Sequence, residues 1–212
     1  MGRELPILFN SEMVRAILDG RKTQTRRPIK PQPPKGNYNC ATVLDTTGDR
    51  KKVGKHFWHN LDAIEHCDVY FSLPYQVGDR LYVRETFAID GYKGNKFPRS
   101  GVFYKADENK MNFDAGQNWK ISDYKIKWTP NIHMPKECAR IWLEVTGVRV
   151  ERVQDISNKD IESEGIEFVA RDGARGLQES FKSLWNSIYK NELSFESNPY
   201  VFVTEFKRIE AK

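Results

Sequence analysis

The stretch Ala139–Val153 reads ARIWLEVTGVRVERV, and it carries the sharpest strand signal in the chain. Ile141, Leu143 and Val145 alternate with their neighbours, the period of two that sends successive side chains to opposite faces of a sheet. Gly147 interrupts the run, and Val148 and Val150 resume it. A glycine inside such a pattern marks a bulge or sharp bend, the device by which a small sheet closes into a barrel.

Working outward, the Gly78-Asp79 turn opens RLYVRETFAI, which reads as one alternating strand over Arg80–Ile89. With Leu81 and Val83 inward, Tyr82 and Arg84 line the surface, and Glu85 points back inside, where it needs a partner. One of the arginines near residue 26 is the expected partner. Leu5–Phe9, Gly101–Ala106 and the closing PYVFVTEFKRI, Pro199–Ile209, supply further extended segments. Helices are few. Asn10 or Ser11 caps one whose buried face is Met13, Ile17 and Leu18, with Gly20 as the left-handed residue past its end. Ser157, with Asp160 three residues on, starts a short helix that ends at Gly165. Leu177, Phe181, Leu184, Trp185 and Ile188 form the stripe of a longer one. The expected class is α+β: a small barrel with packed helices, one domain over residues 1–212. Residues 37–73 show poor periodicity and read as an insertion, and 107–135 read as loop-rich.

Composition bounds the function. The 212 residues are 39% hydrophobic, enough for one core, and 12% aromatic. Lys and Arg number 34 against 29 Asp and Glu, a net charge of +5, which favours polyanionic partners through phosphate contacts. Three cysteines, Cys40, Cys67 and Cys138, imply no disulfide framework and point to a reducing compartment, the cytoplasm. No run approaches the roughly 18 apolar residues of a membrane span. The N-terminus has no secretory or myristoylation signal. A monomer with no membrane partner and no cofactor is expected.

The chemistry-bearing stretch is GRKTQTRRP, Gly20–Pro28, the densest basic cluster in the chain. Pro28, Pro31, Pro33 and Pro34 follow it as a stiff connector. Arg21, Arg26, Arg27 and Arg84 are candidates for phosphate binding, and Tyr82 for base stacking. The bland alternative is a solvated basic face after a helix end. Phe87, Tyr92, Trp119, Trp128 and Trp142 are further aromatic candidates, better suited to a core. Cys40, His56, His59, His66 and Cys67 invite a zinc reading. No Cys-x-x-Cys pair supports it, and adjacent His66-Cys67 suits a tetrahedral site poorly, so no metal is expected. Cys138 lacks the surroundings of a nucleophile.

The ordered set GRKTQTRRP, GDRLYVRET, DIESEGI and NPYVFVTEF resembles the ASCH domain of the PUA-like superfamily. In particular it is similar to the longer ASCH proteins of bacteriophages and prophages. That resemblance implies a PUA-like barrel and a nucleotide, nucleoside or RNA partner inside a bacterial host. Some compact ASCH enzymes hydrolyse the amide of N(4)-acetylcytidine with a lysine, a threonine three residues later and a glutamate. Those positions fall here on Lys22, Thr25 and Glu164. A threonine hydroxyl needs a base, and a lysine serves only with a depressed pKa, which burial or neighbouring arginines provide. Lys22 and Thr25 converge only where Lys22 lies in the turn after Gly20 and the strand begins later. Arg26-Arg27-Pro28 departs from the less basic continuation in the compact enzymes. Other ASCH proteins imply two alternatives: a non-catalytic nucleic-acid-binding module, or a metal-independent ribonuclease with Lys22 as an electrostatic stabiliser.

Overall fold

The computed structural model describes residues 2–34, 36, 38–42, 50–52, 54–62, 66–89, 101–107, 127–167 and 173–210. The strands are β1 (Glu4–Leu8), β2 (Gln24–Pro28), β3 (Tyr38–Thr42), β4 (His56–Asn60), β5 (His66–Phe71), β6 (Arg80–Arg84), β7 (Phe87–Ile89), β8 (Val102–Tyr104), β9 (Trp142–Arg152) and β10 (Tyr200–Ile209). The α-helices are α1 (Ser11–Leu18), α2 (Asn158–Ser163) and α3 (Gly173–Ile188). The fold is α+β with sheet predominating. Five strands hydrogen-bond in the order β1-β6-β9-β10-β2, three in the order β3-β4-β5, and β7 pairs with β8. Among the described residues none of these sheets closes into a barrel. The chain groups into two compact units: Met1–Thr23 with Val77–Thr146 and Phe206–Lys212, and Gln24–Gln76 with Gly147–Glu205.

In the first unit β1 and β6 run parallel, with Leu5 opposite Leu81 and Ile7 opposite Val83, and β6 pairs antiparallel with β9. The alternation sorts as expected: Leu81 and Val83 are fully buried, while Tyr82 and Arg84 are partly exposed. Each buried aliphatic side chain of this kind stabilises by about 1.5–3 kcal/mol. Asn10 caps α1, its side chain accepting the Met13 N–H at 2.8 Å, and Gly20 takes φ 76° beyond the helix end. The buried face of α1 is Val14, Ala16 and Ile17; of the expected trio only Ile17 is fully inside.

The strand expected over Arg80–Ile89 breaks in two at Glu85. Glu85 is 1% exposed and its carboxylate accepts from Arg140 Nε at 2.8 Å and Nη2 at 3.0 Å. The partner is therefore Arg140, not an arginine of the Gly20–Pro28 stretch. The register explains it. Tyr82 faces Trp142 and Val83 N–H donates to the Ile141 carbonyl, so antiparallel pairing carries Arg140 to the end of β6.

In the second unit β2 pairs antiparallel with β10, Thr25 opposite Thr204 and Arg26 opposite Val203. Val153, Ile156, Ile161, Leu177, Phe181, Trp185, Val201 and Val203 form its core, which α2 and α3 complete. The stripe on α3 runs Leu177, Phe181, Trp185 and then Tyr189; Ile188 is 48% exposed, since the spacing of four carries the stripe past it. β9 passes through Gly147 without a break. A Cβ there would sit 2.7 Å from a Glu205 carboxylate oxygen, so a larger residue would have to displace that side chain.

Residues 37–73, expected to be an irregular insertion, contain the antiparallel β3-β4-β5 sheet. Its strands are short and aromatic, which hid their period. Trp58 is fully buried between Phe71 and Tyr200, at ring separations of 4.9 and 4.6 Å, and donates to the Pro31 carbonyl at 3.1 Å. Among the described residues no helix is long and apolar enough to cross a membrane. Tyr92 and Trp119 lie outside the described residues.

Candidate functional site

The second unit gathers charge around β2, an end strand whose first three residues are buried. Arg26 is 4% exposed. Its Nε and Nη2 donate to Glu151 Oε1 at 2.9 and 2.7 Å, and its Nη1 donates to Glu164 Oε1 at 3.1 Å. Asp160 lies 3.4 Å from the same guanidinium. Arg26 was expected to face phosphate; its guanidinium faces carboxylates instead, because β2 presents it inward. The fork geometry of arginine suits it to hold two carboxylates at fixed angles.

Glu164 is placed by α2. Ser157 caps that helix with a full capping box, Asp160 supplying the return bond, and Glu164 is the C-cap residue, with Gly165 at φ 88° just beyond. Glu164 is 9% exposed. Gln24 fastens β2 to the same helix, donating to the Asp160 carbonyl at 2.8 Å and to its carboxylate at 3.0 Å. Burial pushes the Asp160 pKa up, but bonds from Ser157 and Gln24 and the charge of Arg26 outweigh it, and the pKa falls to about 2. Arg149 extends the network, bonding Glu151 at 2.9 Å and Asp160 at 3.0 Å and meeting Glu205. Two arginines thus serve four carboxylates.

Alternation along β2 sends Thr25 and Arg27 to the face opposite Gln24 and Arg26. Thr25, 4% exposed, stands directly across from Thr204, which is fully buried. The Thr204 hydroxyl has no hydrogen-bond partner among the described residues. Directly opposed residues of an antiparallel pair have Cβ atoms about 4.5–5.5 Å apart, so two hydroxyls share one patch of sheet. Arg27 acts on two phenols: burial raises the pKa of both Tyr75 and Tyr189, and the Arg27 charge draws both back. Glu164 pushes Tyr189 up, which places that phenol within electrostatic reach of Glu164 as well.

The other expected residues belong to the first unit. Lys22 is 2% exposed; its N–H donates to the Ala16 carbonyl at 3.0 Å and its ammonium lies 5.6 Å from the Phe9 ring centroid. β2 starts at Gln24, and Lys22 sits two residues ahead of it, at an isolated bridge position beyond the Asp19-Gly20 turn. Arg21 is partly exposed and pairs with Asp19 at 3.1 Å. Tyr82 packs on Trp142 at 5.8 Å, with the charges of Arg84 and Lys136 at 5.8 and 5.9 Å from its ring. Arg84 donates to the Ile132 carbonyl at 3.2 Å, and its Nε is buried without a partner among the described residues.

Among the described residues no three His, Cys, Asp or Glu side chains gather to hold a metal ion. His56 contacts the Thr42 hydroxyl at 2.9 Å, and burial pushes its pKa down. Burial pushes the Cys40 thiol up to about 11 and raises Cys138 too, the direction of an inert thiol. Sequence alone points to none of Thr204, Tyr75, Tyr189 and Glu151, and it gives Asp160 only as part of a helix start. Thr204 left one signal, a hydroxyl in the otherwise apolar run YVFV-T. The chain matches no family model, no curated protein and no solved structure.

Proposed function

We propose that this is a nucleotide- or RNA-directed protein of the ASCH kind, with a PUA-like fold, that hydrolyses the amide of an N(4)-acylated cytidine in the cytoplasm of a phage's bacterial host. One observation carries the reading. The buried Arg26–Glu164 pair, at 3.1 Å, joins GRKTQTRRP to DIESEGI across 138 residues of chain. These are the two segments to which the resemblance assigns a single chemistry.

In this reading the Thr25 hydroxyl attacks the acyl carbonyl while Lys22, as a neutral amine, takes its proton. The tetrahedral intermediate collapses by breaking the bond between the acyl carbon and the cytosine N4, and that nitrogen leaves with the proton. Water then cleaves the Thr25 ester to release the carboxylic acid. Glu164 orients and relays protons, and Arg26 is a positioning residue that fixes Glu164. Arg21 and Arg27 serve phosphates.

A second reading, a binding module without chemistry, is favoured by the alternation that turns Thr25 away from the face of Arg26. One assay separates the two. N(4)-acetylcytidine, free or within RNA, is incubated with the protein and cytidine release is followed by mass spectrometry. Lys22→Arg keeps the charge and removes the proton acceptor; Thr25→Val keeps the shape and removes the hydroxyl. Each is expected to lose at least about 100-fold in turnover, the lower scale of general-base catalysis, while binding RNA as before. No release by the wild type, with normal RNA binding by Lys22→Arg, would establish the binding module.

A further inference from the structure

The proline-rich segment after β2 is more than a connector. Within the second unit it borders a cavity of about 840 Å³, lined among others by Lys30, Pro31, Pro34, Arg152 and Leu193. Ligand clefts span roughly 300–1,000 Å³, so this one accepts a nucleotide-sized guest. Its wall is preformed. The Gln32 side chain donates to the Ile29 and Tyr200 carbonyls at 2.7 and 2.8 Å and accepts the Tyr200 N–H at 2.8 Å. Trp58 holds the Pro31 carbonyl at 3.1 Å. A wall already fixed by its own hydrogen bonds gives up little entropy when a ligand arrives.

The lining also has a chemical preference. The Arg152 guanidinium lies 3.7 Å from the Tyr200 ring centroid and donates to the Asn198 carbonyl at 2.9 Å, so it is held in place on the ring. Lys30 is exposed on the same lining. Against these two cations stands one acid, Glu192. Proline rings and a fixed guanidinium offer flat surfaces for a base, and an ammonium offers a counter-charge for a phosphate. A ligand needing both is a nucleotide unit.

We propose that this cavity is a subsite for a flanking nucleotide of single-stranded RNA, so that the substrate is a strand and not a free nucleoside. The inference rests on the RNA-directed reading above. Continuity of the backbone supports it: the Ile29 N–H donates to the Tyr200 carbonyl at 3.0 Å, extending the β2–β10 ladder past Pro28. Thr25 to Ile29 is therefore four extended steps, about 13 Å at roughly 3.3 Å each, and Lys30 follows at the bend beyond. Arg27 lies between them. A strand laid along β2 meets Arg27 and then the cavity.

The test uses the full chain and a fluorescent single-stranded RNA oligonucleotide in a salt-titrated anisotropy assay, beside the hydrolysis assay. Lys30→Glu alters an exposed side chain and leaves folding alone; Arg152→Ala is the second variant, and Lys105→Glu controls for net charge. Lys30→Glu and Arg152→Ala are each expected to weaken RNA binding about tenfold, the effect of one good contact, and Lys30→Glu to flatten the salt dependence by about 0.7 for its lost phosphate contact. In hydrolysis, KM rises for the acylated oligonucleotide and stays constant for the acylated nucleoside. The cavity assignment is overturned if Lys30→Glu weakens binding no more than Lys105→Glu, or if nucleoside and oligonucleotide suffer equally. Absence of hydrolysis in the wild type overturns the catalytic reading alone, because the anisotropy arm still decides the cavity.

Discussion

Each unit contains a buried arginine network, and the two are built differently. In the first, Arg140 grips Glu85 with two bonds, meets Asp107, and lies 3.9 Å from the Tyr104 ring centroid. Burial raises the Glu85 pKa, and Arg140 pulls against it. In the second, Arg26 and Arg149 are divided among Glu151, Asp160, Glu164 and Glu205. A buried ion pair is not by itself a mark of function, since desolvation consumes much of what the attraction returns. Both networks set two carboxylates against each arginine, so what distinguishes the second is the segments it ties together. The first fastens the end of β6 to the start of β9 and leaves one carboxylate clamped on both oxygens. The second fixes a helix-capping glutamate beside a strand that also carries a buried threonine.

Breaking the first network should give the largest loss of stability. Arg140→Met strands Glu85 without its cation, and urea unfolding should show about 3–5 kcal/mol lost, with turnover per folded molecule unchanged. Arg26→Lys should do the opposite. It keeps the charge but not the fork, so stability should fall by about 1–2 kcal/mol while turnover falls at least about tenfold. Equal stability losses and unchanged turnover in both variants would erase the distinction between the networks.

Acid should separate them further. The Asp160 pKa is depressed to about 2, so its stabilisation is complete above its ordinary value of 3.8 and disappears as pH falls toward 2. Glu85 runs the other way. Its raised pKa means stability declines as pH rises through the window above 4.5. Asp160→Asn should therefore be clearly less stable than the wild type at pH 6 and nearly equal to it at pH 2, by urea midpoint. The smallest effect is expected at Thr204→Val. Removing a buried hydroxyl with no partner should leave stability constant or raise it by up to about 1 kcal/mol.

The comparison also shows what the sequence made legible. Periodicity placed β6, β9 and β10, and cap chemistry placed the ends of α1 and α2, because these signals are local. The second network was hidden because its members, Arg26, Glu151, Asp160 and Glu164, are brought together by strand pairing and by α2, which spacing alone does not encode. The Glu85 partner was misplaced for the same reason: only the β6–β9 register identifies Arg140. The close approach of the Glu205 side chain to Gly147 is likewise invisible until both strands are in position. The β3-β4-β5 sheet escaped because five- and six-residue aromatic strands carry too few periods to stand out.

The central claim is that Arg26 holds Glu164 for chemistry, and Glu164→Gln tests it most directly. Glutamine keeps the shape and a carbonyl for Arg26, but it carries no negative charge and takes up no proton. Cytidine release from an acylated RNA oligonucleotide should fall at least about 100-fold, with RNA affinity and its salt dependence unchanged. Undiminished release by Glu164→Gln, or a loss of release matched by an equal loss of RNA affinity, would contradict the account.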